Sequence, residues 1–289
     1  MKKFLGSMMM FIIGLAPVVA LAQENPNVFT YKSGAFEVCL LSEGQSAGKP
    51  DIFIGATPEM LQKCIPDGTF PNSCNAFLVR MSGKTILVDT GFGRHLFDNL
   101  KSLGVTPEQV DIILLTHMHG DHIGGMLKDE QAAFPRAEVY LAKPEHDYWM
   151  SGDARNANVR KVIEVYRSKL HLFQPSEIDA KPNTLFPGIQ AVASYGHTPG
   201  HTSFLIESGK DQLLIWGDLT HAMAIQMTYP QVAMTYDVNP DVAIASRKKV
   251  LEYVAKNRIP IAGMHIAFPG MGKVSKASAD GYSYSPFTK

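Results

Sequence analysis

Neither sign of charge is in excess in this 289-residue chain, where 27 lysines and arginines stand against 27 aspartates and glutamates. A phosphate-binding surface needs clustered cations, so the balance argues against a nucleic-acid partner. Cysteine is scarce, and three residues permit one disulfide at most. Repeats, charge blocks and low-complexity linkers are absent after residue 23. The segment "GFGRHL" after Asp89 lacks the third glycine and the Lys-Ser/Thr pair of nucleotide sites, which argues against nucleotide binding. No G-x-S-x-G elbow occurs and no cysteine has a plausible paired histidine, so covalent catalysis is not indicated. What remains is ordinary globular composition, 45% hydrophobic and 19% charged.

Only the first residues break that pattern. Lys2 and Lys3 precede an uncharged run, Phe4 to Leu21, that ends in Ala20-Leu21-Ala22. A positive start, an apolar middle and an A-x-A end read as a secretory signal peptide over 1–22, with an uncleaved anchor as the competing reading. The expected mature protein is one domain, 23–289, exported to the periplasm or secreted, with no stable membrane insertion. Export makes Cys64 and Cys74 interpretable, since they bracket the turn-rich "IPDGTFPNS", which a short cross-link would stiffen. Cys39, in "AFEVCLL", reads as a small buried apolar residue. None of the three lies near the histidine motifs along the chain.

Short or alternating apolar runs predict strands at 35–41, 75–82, 84–89, 111–116, 137–142, 189–194, 202–207, 212–217 and 260–264. Helices are expected in "RHLFDNLKSL", in "NVRKVIEVYRSKL" and after Asn239-Pro240. There Asn239 can cap, Pro240 suits the first position, and Ile244, Leu251, Val254 and Ala255 share a face. Strands come in pairs and helices interrupt rather than alternate. That suits an α/β architecture of two mixed sheets packed together with helices outside.

The chemistry concentrates in "DIILLTHMHGDHIGG". Four potential ligands, His117, His119, Asp121 and His122, arrive within six residues after an apolar strand. Side chains two apart on extended backbone point the same way, so His117 and His119 can grip one ion. Gly120 is expected to turn the chain so that Asp121 and His122 face a second. Imidazole nitrogen and carboxylate oxygen are ligands zinc takes, although manganese, iron or cobalt accept them too. His197 in "YGHTPGH", Asp218 in "LLIWGDLTH" and His265 in "IPIAGMH" each follow a strand, where sites collect.

In order and spacing, "HMHGDH", "GHTPGH", "WGDLTH" and "GMH" resemble the metallo-β-lactamase superfamily over about residues 35 to 275. The stretch from "GDLTHAMAIQMTYP" to "HIAFPGMGKV" looks most like its methyl parathion hydrolase-like branch. The resemblance implies a four-layer αββα sandwich. It gives a first metal to His117, His119 and His197 and a second to Asp121, His122 and His265, with Asp218 bridging. Two divalent cations, zinc first among them, would share a hydroxide that attacks a carbonyl or phosphorus. Asp121 would orient the attacking oxygen. Asp89, in "ILVDTG", resembles the aspartate that fixes a ligand imidazole in this family, the alternative being a turn cap. His201 is read either as such a support or as a satisfied histidine.

True β-lactamases of the commonest subclass carry cysteine where this chain has Asp218, so lactonase, glyoxalase II and phosphotriesterase chemistry are favoured over antibiotic hydrolysis. His221 stands where acyl-homoserine lactonases carry a tyrosine, and either contacts substrate or leaving group or is a polar loop residue. Phe92, Trp149 and Phe268 either wall an apolar pocket or are ordinary aromatics. A small-molecule lactone or carboxylic ester is the expected substrate. A phosphotriester is the alternative, followed by a non-catalytic metal-binding module or a di-iron redox protein.

Overall fold

The computed structural model describes residues 25–151, 157–181 and 183–288; the expected signal peptide, 1–22, lies outside them. Among the described residues no helix is long and apolar enough to cross a membrane. Seven strands form the first sheet, in the order Val28–Ser33, Phe36–Gly48, Phe70–Met81, Lys84–Val88, Ile112–Leu114, Glu138–Ala142 and Leu170–Phe173. Its first four strands pair antiparallel and the rest parallel. The second sheet runs Asn183–Phe186, Ile189–Ala193, Thr202–Ser208, Asp211–Ile215, Ile261–Ala262, Met271–Lys276 and Tyr282–Pro286. Only Asp211–Ile215 and Ile261–Ala262 are parallel there.

Continuous apolar runs make the central strands because both faces of each sheet are covered. In "AFEVCLL", Phe36, Val38 and Leu40 point between the sheets to meet Phe204, Ile206, Leu213 and Ile215. Cys39 and Leu41 point the other way, towards Leu96 and Leu100 of helix Leu96–Ser102 and Val159 and Val162 of helix Ala157–Val165. Leu205 and Leu214 likewise back onto Val250, Leu251 and Val254 of helix Pro240–Asn257. The result is helix, sheet, sheet, helix, the expected αββα order.

Helix Pro240–Asn257 starts where Asn239 Oδ1 accepts from the Val242 N–H at 3.2 Å. Its buried face is Ala243, Arg247, Val250, Leu251 and Val254, while Ile244 and Ala255 are only half-buried. The expected helix over 158–170 stops at Val165. A single 3-10 turn then leads into strand Leu170–Phe173, because the parallel edge beside Glu138–Ala142 claims that segment. Gly120 takes no left-handed conformation; it opens a four-residue helix, Gly120–Ile123, that itself redirects the chain.

All three cysteines are free. Cys64 ends helix Pro58–Cys64 against the cluster of Ile65 and Phe70. Cys74 faces the opposite way, its thiol donating to the Asp121 carbonyl at 3.5 Å, so that a cysteine remote in sequence lies beside the histidine motif. Burial pushes the Cys74 thiol up to about 12, which keeps it neutral.

Phe204 is fully buried between the sheets. Phe204→Ala should therefore lower unfolding free energy by about 3–5 kcal/mol in urea titrations, and a loss below about 1 kcal/mol would contradict close packing of the two sheets.

Candidate metal centre

The seven sequence-expected ligands converge at one edge of the sandwich. His117 and His119 follow strand Ile112–Leu114, and His119 begins the short helix that carries Asp121 and His122. His197 follows Ile189–Ala193, Asp218 follows Asp211–Ile215 and His265 follows Ile261–Ala262. The carboxyl ends of strands from both sheets thus meet here.

Four three-residue groups among the described residues are close enough to hold an ion: His117, His119 and His197; Asp121, His122 and His265; and two that include Asp218, with His117 and His122 and with His197 and His221. Between the first two lies Asp218. Its Oδ1 is 3.2 Å from His122 Nε2, and its Oδ2 is 3.0 Å from His265 Nε2, 3.4 Å from His197 Nε2 and 3.7 Å from His117 Nε2.

Outside this ring, acceptors fix four imidazoles. His122 Nδ1 donates to Asp89 Oδ2 at 2.6 Å, His197 Nδ1 to Asp237 Oδ1 at 2.9 Å and His265 Nδ1 to the Ser73 carbonyl at 2.7 Å. His117 Nδ1 meets Thr116 Oγ1 at 3.1 Å, and that hydroxyl donates to Asp89 Oδ2 at 2.6 Å. With the proton held on Nδ1, each Nε2 presents its lone pair inward. Asp89 does more than cap a turn. From a left-handed backbone conformation (φ 58°) it accepts from the Thr116 amide, the Thr116 hydroxyl and His122 together.

These residues fit divalent cations. His119 Nδ1 lies 2.9 Å from both His117 Nε2 and His197 Nε2, and one nitrogen cannot donate a proton to both. Burial pushes all three histidines down, His119 to about 4, so three neutral rings point nitrogen at nitrogen. In the second group burial also lowers His122, yet the carboxylates of Asp218, Asp121 and Asp89 hold it well above the usual histidine range. His122 Nε2 and Asp218 Oδ1 face each other at 3.2 Å outside hydrogen-bond geometry, and neither has a hydrogen-bond partner among the described residues. Orphaned polar atoms cost about 1–3 kcal/mol each, a penalty that coordination removes.

The supporting histidines separate cleanly. His201 Nδ1 donates to the Ser194 carbonyl at 2.9 Å, and its Nε2 accepts the Asp218 N–H at 2.9 Å, so it fixes the backbone of Asp218. Gly217 is required here: its φ is +58°, and a Cβ would come 2.5 Å from His201 Nε2. His221, only 3% exposed, lies within the cluster, close enough to His197 and Asp218 to share an ion with them. Its Nε2 lies 3.0 Å from Asp218 Oδ2 and its ring stacks on His265 at 4.8 Å.

Of the aromatics proposed for a pocket, Trp149 alone touches the cluster, its ring edge-on to His119 at 5.6 Å. Phe92 stands 43% exposed beneath the Arg94 guanidinium, and Phe268 packs on Phe29 and the inter-sheet core. Spacing in the sequence gave no signal for Tyr236. It stands 40% exposed with its ring edge-on to His221 at 4.9 Å and to His197 at 6.0 Å. Asp237 was equally silent in the sequence, and so was Arg247, whose buried guanidinium donates to the Leu219, Pro230 and Val232 carbonyls. Glu145 completes the unanticipated residues.

An αββα sandwich with a group of three histidines and a group of two histidines and an aspartate on either side of the Asp218 carboxylate defines a scaffold suited to a dinuclear metal site. The chain belongs to the metallo-beta-lactamase superfamily, whose family model matches residues 69–258. It is similar to an N-acyl homoserine lactonase of Bacillus cereus, 26% identical over 166 residues that cover 55% of this chain and 57% of the relative. It also matches the probable metallo-hydrolase YqgX of Bacillus subtilis, 28% identical over 152 residues, 52% of this chain and 67% of that one. The match to the lactonase thus spans little more than half of that relative's length. Among solved structures, AidC, a dizinc quorum-quenching lactonase in complex with its product N-hexanoyl-L-homoserine, has a TM-score of 0.82 at 25% identity and covers 91% of this chain and 98% of its own. The hydrolase AbOPH of the beta lactamase superfamily has a TM-score of 0.80 at 29% identity, covering 92% and 99%.

Asn tolerates the left-handed backbone at position 89 but would oppose at least one of the three donors there with its own N–H groups. Asp89→Asn should weaken zinc binding about 10–100-fold by chelator competition while leaving the circular dichroism spectrum intact, and wild-type affinity would remove Asp89 from the site.

Proposed function

We propose that the chain is an exported, metal-dependent hydrolase of lactones or carboxylic esters, with residues 1–22 as its export signal and zinc as its metal. The observation that carries this reading is Asp218 lying between two ligand groups, within 3.7 Å of an imidazole from each. His117, His119 and His197 would hold one divalent cation and Asp121, His122 and His265 a second, and the pair would supply Lewis-acid chemistry, activating water near neutral pH and polarising the electrophilic oxygen.

The chain's own residues supply the rest. Asp121, whose side chain is 23% exposed, is the carboxylate of the cluster that opens towards solvent, and it orients the attacking oxygen and accepts its proton. Asp89, Asp237 and the Ser73 carbonyl hold the inward nitrogens, so no side chain needs to reorganise when substrate arrives. Trp149 and Tyr236 border the cluster on His119 and on His197, and they take the apolar part of the substrate and exclude water. His221 works from behind, through its contact with Asp218, instead of touching the leaving group.

Similarity to two lactonases supports the lactone as substrate class. A phosphotriester is the second reading, since the same geometry accepts a tetrahedral phosphorus centre. The purified chain should carry two equivalents of zinc and turn over a lactone and an aryl ester faster than paraoxon. Chelation should abolish turnover and added zinc restore it. Turnover of nitrocefin alone would overturn the substrate assignment, and full activity in the chelated chain would overturn the metal dependence. His221→Ala should lower kcat about 10-fold or more without loss of metal, an effect of the size expected for a misplaced supporting group.

A further inference from the structure

Glu145 is fully buried on helix Lys143–Ser151 and has no cationic partner among the described residues. It is satisfied by four donors instead. Oε1 accepts from the Met118 amide at 3.0 Å and from Trp149 Nε1 at 2.5 Å. Oε2 accepts from the Thr198 hydroxyl at 2.6 Å and from the Gly200 amide at 3.0 Å. Met118 lies between His117 and His119, and Thr198 directly follows His197. One carboxylate therefore ties together the two loops that carry the first ligand group, one loop from each sheet.

The backbone is shaped for this contact. A Cβ on Gly200 would lie 2.0 Å from the Glu145 amide nitrogen, so only glycine lets the helix approach so closely. Trp149 belongs to the same unit, bonded to Glu145 through its indole N–H while its ring edge meets His119.

We infer that Glu145 is a positioning residue that sets the separation of the His117–His119 and His197 loops, fixing the metal affinity of that group, and couples its occupancy to Trp149. The inference rests on the metal-dependent reading but makes a separate demand, that the first group alone depends on Glu145. Desolvating a carboxylate is unfavourable, burial pushes its pKa up, and the four donors offset that cost only while both loops are in place. Glutamine at this position would turn an N–H2 towards two of those donors and force the loops apart.

The full chain, stripped by chelator, would be titrated with zinc alone. Binding is followed by chelator competition and by tryptophan emission, which comes from Trp149 and the buried Trp216 alone. Wild type should bind two equivalents with a change in emission that Trp149→Phe removes. Glu145→Gln should weaken one equivalent about 10–100-fold, leave the other within about threefold and lose the emission change. Thr198→Val, which removes one donor of the four, should show a smaller loss of the same kind. Val254→Ala, on the buried face of helix Pro240–Asn257, should lower Tm without altering zinc affinity. A Glu145→Gln chain that loses Tm but binds both equivalents as wild type overturns the inference, as does equal weakening of both. A wild-type chain that binds no zinc overturns the metal-dependent reading and this inference with it.

Discussion

The structure depends on one buried carboxylate. Asp218 faces five imidazoles, those of His117, His122, His197, His221 and His265, at the seam where the carboxyl ends of both sheets meet. A charge so placed is tolerable only with compensating charge and fixed hydrogen bonds. His201 holds its backbone, and Gly217 gives that ring room to approach. The acceptors behind His117, His122, His197 and His265 then settle which nitrogen of each ring looks inward. The electrostatics of the edge follow from these placements: burial keeps the His117, His119 and His197 rings neutral, while in the second group the neighbouring carboxylates outweigh burial and raise His122 and His265.

Much of this was legible from residue order because the ligands obey local rules. His117, His119, Asp121 and His122 announce themselves by density, and His197, Asp218 and His265 by following apolar strands. The central strands were equally legible, since two-sided burial writes itself as unbroken Val, Ile and Leu. Strands Val28–Ser33, Met271–Lys276 and Tyr282–Pro286, at or next to a sheet edge, leave no such signal because they are half-exposed and carry few apolar residues. "NVRKVIEVYRSKL" reads as one long helix because local periodicity cannot register the neighbouring strand that ends it, so that Arg167–Lys169 form a turn and Leu170 already starts strand Leu170–Phe173.

The residues missed at the site share one property: each acts across a large sequence separation. Glu145 reaches Gly200 55 positions away, Asp237 reaches His197 40 positions away, and Tyr236 meets rings from two other loops. No spacing rule covers such contacts. The same distance misled the reading of the cysteines, since Cys74 borders Asp121 through tertiary structure 47 residues away. Phe268 shows the converse, where position in a motif suggests a pocket wall and packing puts the side chain against Phe29 and the inter-sheet core.

His265 of the second sheet is anchored on the Ser73 carbonyl of the first, 192 positions earlier, and the other ligands are likewise divided between the sheets. A fragment ending near Phe173 would keep His117, His119, Asp121 and His122 but none of the later three. Neither half can therefore evolve, be expressed or be inactivated independently as far as the metals are concerned. Under the proposed metal-dependent reading, ion capture and docking of the sheets become one thermodynamic event, and a divalent cation that binds only the docked sandwich would act as a folding ligand whose concentration sets how firmly it stays shut.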